Sequence, residues 1–286
     1  MKNDYTIPAA VTIGERQNLI YKTVGETKLD MIFLAPTEKK YDRAPVYFVI
    51  PGGGWHSTSA QSMIGFSARS IATLRARGWA VAGISYRLTP HAVIDEIISD
   101  CMDAGRYLAH FADVLGIDPA RVLVSGHSAG GHLALMVSHA PHAGFVADSP
   151  FDAVADEFTV IGSAPMSPIT YLYDDTGGNG PVSFRFERLF RDNVYDLAAA
   201  HRASPIDYVT PLSVPTLIMC GTHDTLVYPN NSSWFYDRCR ELCAPCEIVY
   251  SHLGGHCFEP LVEGAPSYPG MAVMQDKISA FAEQFE

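Results

Sequence analysis

The chain has 286 residues with a formal net charge of −11, and 48% of its residues are hydrophobic while 18% are charged. This is enough apolar material for one large core, and chains of this length that alternate strands and helices are often single domains. Because no cluster of Lys and Arg offsets the acidic balance, the composition excludes nucleic acid and anionic membrane surfaces as expected partners.

No targeting segment is visible at the start of the chain. The first 20 residues lack the apolar stretch of a signal peptide, although a trimmed secreted chain would look the same. No apolar run approaches the roughly 18 residues of a membrane-spanning helix. We therefore expect a cytoplasmic protein that does not enter a membrane; its oligomeric state is left open by the sequence.

The six cysteines are sparse for the length of the chain and do not form the pattern of a disulfide framework. Cys239, Cys243 and Cys246 lie close together, which raises the alternative of a zinc site. No second pair of Cys or His residues completes a tetrahedral site, so we expect thiols, no metal and no other cofactor.

The first half of the chain predicts an antiparallel hairpin followed by buried strands that alternate with helices. The hairpin strands are predicted at 18–23 and 28–36, the buried strands at 44–54, 79–88 and 121–126, and the helices at 60–77, 91–116 and 129–140. The runs at 44–54 and 79–88 are continuously apolar, which is typical of strands that are covered on both faces.

The alternation continues in the second half. Strands are predicted at 158–167, 215–221 and 246–251, and helices at 231–243 and 271–285. This order indicates an α/β fold with a mostly parallel central sheet and helices on both faces. Residues 168–212 interrupt the rhythm, since they are long, aromatic and rich in Gly and Pro at first. We interpret them as a lid or insertion over the sheet within a single domain that spans residues 1–286.

Residues 126–130, Gly-His-Ser-Ala-Gly, fit the G-x-S-x-G pattern and lie between a predicted strand and a predicted helix. In that setting a sharp turn lifts the Oγ of Ser128 clear of the sheet, and glycines two residues to either side prevent a collision. The helix that begins here presents unpaired N–H groups toward developing negative charge. We therefore predict that Ser128 is a nucleophile.

A nucleophilic serine needs a base, and the base needs an orienting acid. After a nucleophile of this kind the acid follows a later strand and the base follows the last one. Asp224 is in the first position, and both His252 and His256 are in the second. We favour His256 because two glycines before it let the loop turn back toward Ser128, while His252 lies close to the strand end.

A tetrahedral intermediate also needs donors for its negative oxygen. One donor is expected to be the amide of Ala129, directly after the nucleophile, and the other to come from the loop after an early strand. Residues 50–56, Ile-Pro-Gly-Gly-Gly-Trp-His, have the glycines that let backbone amides approach a substrate. We predict Gly53 and Gly54 as the further donors.

These motifs resemble those of the α/β-hydrolases and, within them, of small bacterial carbohydrate esterases of the acetyl-xylan and feruloyl type. The matching segments extend through nearly the whole chain and are VYFVIPGGGW, GWAVAGISYRL, SGHSAGGHLAL, SAPMSPIT, PTLIMCGTHDTLVYPNNS and GGHCFE. Related lipases and formamidases usually carry a histidine before the glycines of the first segment, and here Pro51 stands in its place. Any hydrogen bonding by that histidine is therefore absent.

The resemblance implies an α/β-hydrolase fold and a serine carboxylic-ester hydrolase that forms an acyl-enzyme on Ser128. The expected substrate is a small-molecule or oligosaccharide ester, above all a short acetyl ester on carbohydrate such as acetylated xylan. The alternatives are a feruloyl esterase, an arylformamidase, a peptidase and a non-catalytic scaffold. A peptidase of this fold usually brings a large extra domain, and scaffolds typically lose the serine or the histidine.

Substrate contacts are expected from aromatic and charged residues near the predicted site. Aromatic side chains that would stack on a sugar are those of Trp55, Tyr171, Tyr173, Phe184 and Phe186. Polar residues of the insertion are Asp174, Asp175, Asn179, Arg185, Glu187, Arg188 and Arg191. They form a poor lining for a fatty chain but a suitable rim for a hydroxyl-rich substrate. Core packing of the aromatics and a solvated lid surface would give the same composition.

Overall fold

The computed structural model describes residues 5–145, 151, 157–173, 182, 186–261 and 266–286. Its strands are β1 Arg16–Val24, β2 Thr27–Leu34, β3 Ala44–Ile50, β4 Ala80–Ile84, β5 Ile117–His127, β6 Val160–Met166, β7 Thr216–Gly221 and β8 Cys246–Ser251. Its helices are α1 Ala60–Phe66, α2 Ala68–Ala76, α3 Ile94–His110, α4 Ala112–Leu115, α5 Ala129–His139, α6 Leu197–Arg202, α7 Asn230–Glu241 and α8 Met271–Ala282.

The eight strands form one sheet in the order β1-β2-β4-β3-β5-β6-β7-β8. Strands β1 and β2 are the antiparallel hairpin, β2 joins β4 in antiparallel fashion, and all later neighbours are parallel. The predicted α/β architecture with a mostly parallel sheet is therefore confirmed. The carboxyl ends of the parallel strands meet along one edge, which is where ligands bind in open α/β sheets.

Both faces of the sheet are covered because the central strands have no polar face. All seven residues of β3 are buried. Phe48 packs into one apolar cluster with residues of α3 and α5, while its neighbour Tyr47 packs into a second cluster with residues of α1, α2 and α8. Since successive side chains of a strand point to opposite faces, this division follows directly from the continuous apolar run.

Several predicted elements have different bounds in the structure. The segment 60–77 is divided into α1 and α2 at Ser67, and the segment 91–116 is divided into α3 and α4 at Phe111. Strand β4 ends at Ile84, before the predicted end at residue 88. The next residue is still bonded to β2, since the amide of Ser85 donates to the carbonyl of Asp30 at 2.9 Å.

The predicted insertion 168–212 is partly described, and it contains α6 and short 3₁₀ turns. Leu172 and Leu189 are fully buried in the main core, while Arg191 is exposed. The described part is thus anchored to the domain by apolar side chains. The predicted polar and aromatic contacts that lie outside the described residues are Asp174, Asp175, Asn179, Phe184 and Arg185.

Among the helices of the described ranges, none is long and apolar enough to cross a membrane. The six cysteines are free thiols, of which Cys101, Cys220 and Cys239 are buried. In the same ranges no three His, Cys, Asp or Glu side chains are placed so that they could hold a metal ion.

Candidate active site

Ser128 occupies a strained turn between β5 and α5. Its backbone angles are φ 58° and ψ −123°, a conformation that costs a non-glycine residue about 1–3 kcal/mol. The turn is fixed on both sides, since the amide of Ser128 donates to the carbonyl of Met166 at 2.9 Å and its carbonyl accepts from the amide of His132 at 3.0 Å. The surrounding sheet and helix therefore hold the serine in a conformation that it would not adopt alone.

The glycines around Ser128 are required by close backbone approach. A Cβ atom on Gly126 would collide with the carbonyl of Gly130, and a Cβ atom on Gly130 would collide with the carbonyls of Ile50 and Pro51. The end of β3 thus lies directly against the first turn of α5. These positions accept only glycine because of space, and not because the segment needs flexibility.

Asp224 and His256 form a short, oriented pair. The Nδ1 of His256 donates to Oδ2 of Asp224 at 2.6 Å, and Oδ1 of Asp224 accepts from the amides of Leu226 and Val227, both at 2.9 Å. The carboxyl group is fully buried, whereas the imidazole is 15% exposed. Because Nδ1 carries the proton, the Nε2 of a neutral His256 has a free lone pair and can act as a base.

Ser128 and His256 line the same cavity, which has a volume of about 510 Å³. The described residues of its wall are Gly53, Gly54, His56, Ser57, His127, Ser128, Arg188, Leu226 and His256. The structure therefore brings together a strained serine, a histidine with an oriented ring and the glycine loop after β3. Asp224 lies behind His256.

The glycine loop forms a tight turn on the cavity wall. Gly53 has a φ of 120° and Gly54 a φ of 58°, and both lie on the cavity wall. The carbonyl of Gly53 accepts from the amides of His56 and Ser57 at 3.2 and 3.1 Å, which closes a tight turn. Ala129 is the fully buried first residue of α5, where an amide has no partner within its own helix.

His252, the alternative base, is placed elsewhere. Its backbone amide and carbonyl pair with those of Tyr268, and its side chain is exposed. It is not among the described residues of the cavity wall. Of the two histidines after β8, the structure brings only His256 to Asp224.

The expectation that Trp55 stacks on a substrate has to be corrected. Its side chain is fully buried, in edge-on contact with the rings of His132 and Phe186, and it belongs to the main core. Its φ of 59° turns the side chain inward at the end of the glycine loop. Phe186 is 7% exposed, so it also acts as a core residue.

The two tyrosines of the insertion pack against other rings. Tyr171 contacts Trp234 with 5.2 Å between ring centroids, and Tyr173 stacks on His201 at 4.0 Å. The hydroxyl of Tyr173 donates to Asp207 at 3.0 Å. Neither tyrosine is among the described residues of the cavity wall. The structure therefore does not bring them to Ser128.

Several residues of the cavity wall were not predicted as site residues. His127 precedes Ser128 directly, and its position in the motif was a signal for proximity. Arg188 was expected only as a rim charge. Its Nη2 lies beside Gly54, since a Cβ atom added to that glycine would be 3.7 Å away from it. His56 and Ser57 follow the glycine loop, so its identification as a donor loop also pointed to them.

Comparisons with known proteins agree with this fold. The chain is 28% identical to Esterase LipC of Mycobacterium tuberculosis over 254 residues, which is 85% of this chain and 60% of that protein. It therefore spans less than two thirds of the length of that relative. The structure also resembles Thermogutta terrifontis esterase 2 in its apo form, with a TM-score of 0.74 and 22% identity over 98% of this chain and 96% of that one.

A second structure of that esterase, with propionate bound, gives a TM-score of 0.74 and 23% identity over 94% of this chain and 93% of that one. These likenesses and the strand order show the α/β-hydrolase fold. The BD-FAE family model matches residues 29–239. Because this match covers well over half of the chain, the protein belongs to the BD-FAE family.

Proposed function

We propose that the protein is a serine carboxylic-ester hydrolase that works through an acyl-enzyme on Ser128. The observation that carries the proposal is the shared cavity wall of Ser128 and His256, with Asp224 at 2.6 Å behind the imidazole. A strained serine, a base with a free Nε2 and a buried carboxylate are the parts that acyl transfer requires.

In the acylation half-reaction the Oγ of Ser128 attacks the ester carbonyl carbon while its proton passes to Nε2 of His256. The carbonyl π electrons move to oxygen, and the resulting oxyanion accepts hydrogen bonds from backbone amides of Gly53, Gly54 and Ala129. When the carbonyl re-forms, the bond to the alcohol breaks and His256 returns the proton to the departing oxygen. In deacylation water attacks the acyl-enzyme carbonyl while His256 takes its proton. His256 then returns the proton to the departing Oγ of Ser128, and the acid is released.

Asp224 acts through His256 in both halves. Its charge stabilises the imidazolium that forms when His256 takes the proton, and the two amides at 2.9 Å hold the carboxylate in place. Each amide donor to the oxyanion contributes about 3–4 kcal/mol of transition-state stabilisation if the subtilisin example applies. The name of the relative LipC, an esterase, agrees with this chemistry.

For the substrate we propose a short acyl ester of a hydroxyl-rich alcohol, such as an acetylated sugar. The described wall includes the polar side chains of His56, Ser57 and Arg188 and one aliphatic side chain, that of Leu226, although most of its surface is contributed by carbon atoms. A fatty chain would have to desolvate these groups without pairing them, which is unfavourable. The bound propionate of the Thermogutta esterase is a short acid and is compatible with this preference.

A larger acyl group is the second candidate. A volume of about 510 Å³ lies within the range of sites that hold drug-sized ligands, so a feruloyl group also fits by size. In the first candidate the hydroxyl-rich alcohol occupies the cavity, and in the second the feruloyl group does.

The test compares kcat/KM for p-nitrophenyl acetate, butyrate and octanoate, acetylated xylo-oligosaccharides, a feruloyl ester and formanilide, with Ser128→Ala as the blank. We expect acetyl esters to exceed octanoyl esters by roughly tenfold or more. A feruloyl ester that exceeds all acetyl esters would favour the second candidate. Equal or faster turnover of octanoate would contradict the short-acyl proposal. Fast turnover of formanilide alone would show that the protein hydrolyses an amide and not an ester.

Arg188→Gln tests the polar side chains of the wall. The variant should raise KM for the acetylated oligosaccharide more than for p-nitrophenyl acetate, since only the sugar has hydroxyl groups to bind. Arg191→Gln is the matched control, because Arg191 lies in the same segment but is exposed and absent from the described cavity wall. Equal effects of the two substitutions would contradict a role of Arg188 in binding.

A further inference from the structure

His127 has a place in the site that the ester-hydrolysis mechanism does not use. It is the last residue of β5, directly before Ser128, and its side chain lies on the cavity wall although it is only 8% exposed. A buried polar side chain needs a hydrogen-bond partner, and the partner of His127 belongs to the proposed general base.

The imidazole of His127 is bonded to the backbone of the general base. Its Nε2 lies 2.9 Å from the carbonyl oxygen of His256. Because a carbonyl oxygen only accepts, the proton of His127 is on Nε2 and its tautomer is fixed. The Oγ of Ser167 donates to the same carbonyl at 2.9 Å. Two side chains from neighbouring strand ends thus hold one peptide group of the loop that presents the base.

The ring of His127 also touches the ring of His256. Their centroids are 4.6 Å apart with 52° between the planes, and a second ring, that of Phe66, lies 4.6 Å from His127 at 32°. The ring of His127 therefore packs against both Phe66 and His256. The Sγ of Cys257 lies 3.8 Å from its Nε2.

The loop after β8 needs such support because its own backbone is irregular. Leu253 and Phe258 have φ values of 57° and 60°, which non-glycine residues rarely adopt. Among the described backbone hydrogen bonds, the amide of Gly255 donates to Glu259 at 2.9 Å, but the carbonyl of His256 is bonded by side chains of His127 and Ser167. The carbonyl of the base is thus held from outside the loop, while backbone hydrogen bonds such as that from Phe258 to Gly255 close the loop itself.

His127 also has the right charge for this position. Burial, and secondarily the nearby His256, lowers the pKa of His127 to about 4. It is therefore neutral at neutral pH and does not repel the imidazolium that forms on His256. The other ionisable groups near it are Asp224, Cys257 and, on the cavity wall, His56 and Arg188.

We propose that His127 is a positioning residue for the general base: its Nε2–H holds the His256 carbonyl and its ring supports the His256 ring, so that the base faces Ser128. This inference rests on the proposed ester hydrolysis. The hydroxyl group of Ser167 also holds the His256 carbonyl.

The test separates the hydrogen bond from the ring contact. His127→Phe keeps a ring between Phe66 and His256 but removes the donor, and His127→Gln keeps a donor but removes the ring. With p-nitrophenyl acetate, kcat of His127→Phe should fall about tenfold, the loss expected from one well-placed hydrogen bond, while KM stays within about twofold. His127→Gln should recover part of this loss.

His139→Phe is the matched control. This histidine is the last residue of α5, the helix that follows Ser128; its Nδ1 is 3.1 Å from the carbonyl of Leu135, and its pKa is likewise lowered to about 4 by burial. It is not on the described cavity wall. Its replacement should change the midpoint of thermal unfolding but leave kcat per active site unchanged.

Ser167→Ala independently tests the hydrogen bonding of the His256 carbonyl. The decreases in kcat caused by Ser167→Ala and by His127→Phe should combine non-additively in a double-mutant cycle, because both side chains bond to one acceptor. Active sites are counted by paraoxon titration, so that misfolded protein does not enter kcat. An unchanged kcat per titrated site in His127→Phe and Ser167→Ala, beside an active wild type, would overturn the inference. A wild type without ester turnover would instead overturn the proposed function.

Discussion

The hydroxyl group of Tyr86 donates a 2.8 Å hydrogen bond to the carbonyl of Pro51, at the point where β3 ends and the glycine loop begins. Pro51 stands where related enzymes usually carry a histidine, and its own side chain has no donor. Burial raises the pKa of the Tyr86 phenol well above its ordinary value, so it remains a donor. The start of the glycine loop is therefore held by a side chain that follows the neighbouring strand β4, in addition to the turn that the Gly53 carbonyl closes within the loop.

Tyr86→Phe should lower kcat for p-nitrophenyl acetate by about three- to tenfold, because loss of the hydrogen bond lets the amides of Gly53 and Gly54 move. Tyr107→Phe is the control, since its hydroxyl also donates to a carbonyl, that of Thr6 at 2.7 Å, in a buried ring cluster of the main core. Stopped-flow or steady-state kinetics with both variants check the effect. Equal kcat values for the two would rule out this role for Tyr86.

Replacement of the orienting acid should be less severe than loss of the nucleophile. Asp224→Asn keeps the shape but removes the charge that stabilises the imidazolium, and we expect kcat to fall by roughly 10³–10⁴-fold. Ser128→Ala and His256→Ala should each lose nearly all turnover, since the three groups act as a unit. His252→Ala serves as the control and should retain activity. An inactive His252→Ala beside an active His256→Ala would show that the base is wrongly assigned.

Acid should destabilise the fold through its buried histidines. The side chain of His132 is fully buried, with its Nε2 2.7 Å from the carbonyl of Ala203, and burial lowers its pKa to about 4. The unfolded chain takes up this proton near pH 6.5 but the folded chain does not, so the contribution to stability is complete above pH 6.5. It is lost as the pH falls toward 4, by at most about 1.4 kcal/mol per pH unit.

His132→Gln keeps a donor for Ala203 but has no group that titrates in this range. Denaturant unfolding at pH 7 and pH 5.5 should therefore show a smaller loss of stability in the variant than in the wild type. An identical loss in both proteins would mean that His132 does not contribute to the acid sensitivity.

The sequence predicted the elements whose pattern is local. The buried strands β3 and β5 follow from continuous apolar runs, and the turn at Ser128 follows from glycines whose added Cβ atoms would collide with backbone. The pairing of Asp224 with His256 was expected from chain order and from the two glycines before His256, and their 2.6 Å contact agrees with it. These features depend on which residue types follow one another, so one sequence is sufficient.

The remaining features depend on contacts between distant segments. Nothing in the composition around Trp55 tells which way its side chain turns, and its positive φ directs it against His132 in the core. The contacts of His127 with His256 and of Tyr86 with Pro51 join strand ends that are far apart in the chain. Hydrogen bonds of this kind can be identified only when the order of the strands in the sheet is known.

The role of Ser128 as the nucleophile is tested most directly by labelling it. The wild-type protein is treated with paraoxon, the release of p-nitrophenol is measured, and the modified peptide is located by mass spectrometry. We expect a single diethylphosphoryl group on Ser128 with parallel loss of ester turnover, and no label in Ser128→Ala. A label on another residue, or full ester turnover in Ser128→Ala, would contradict this role of Ser128.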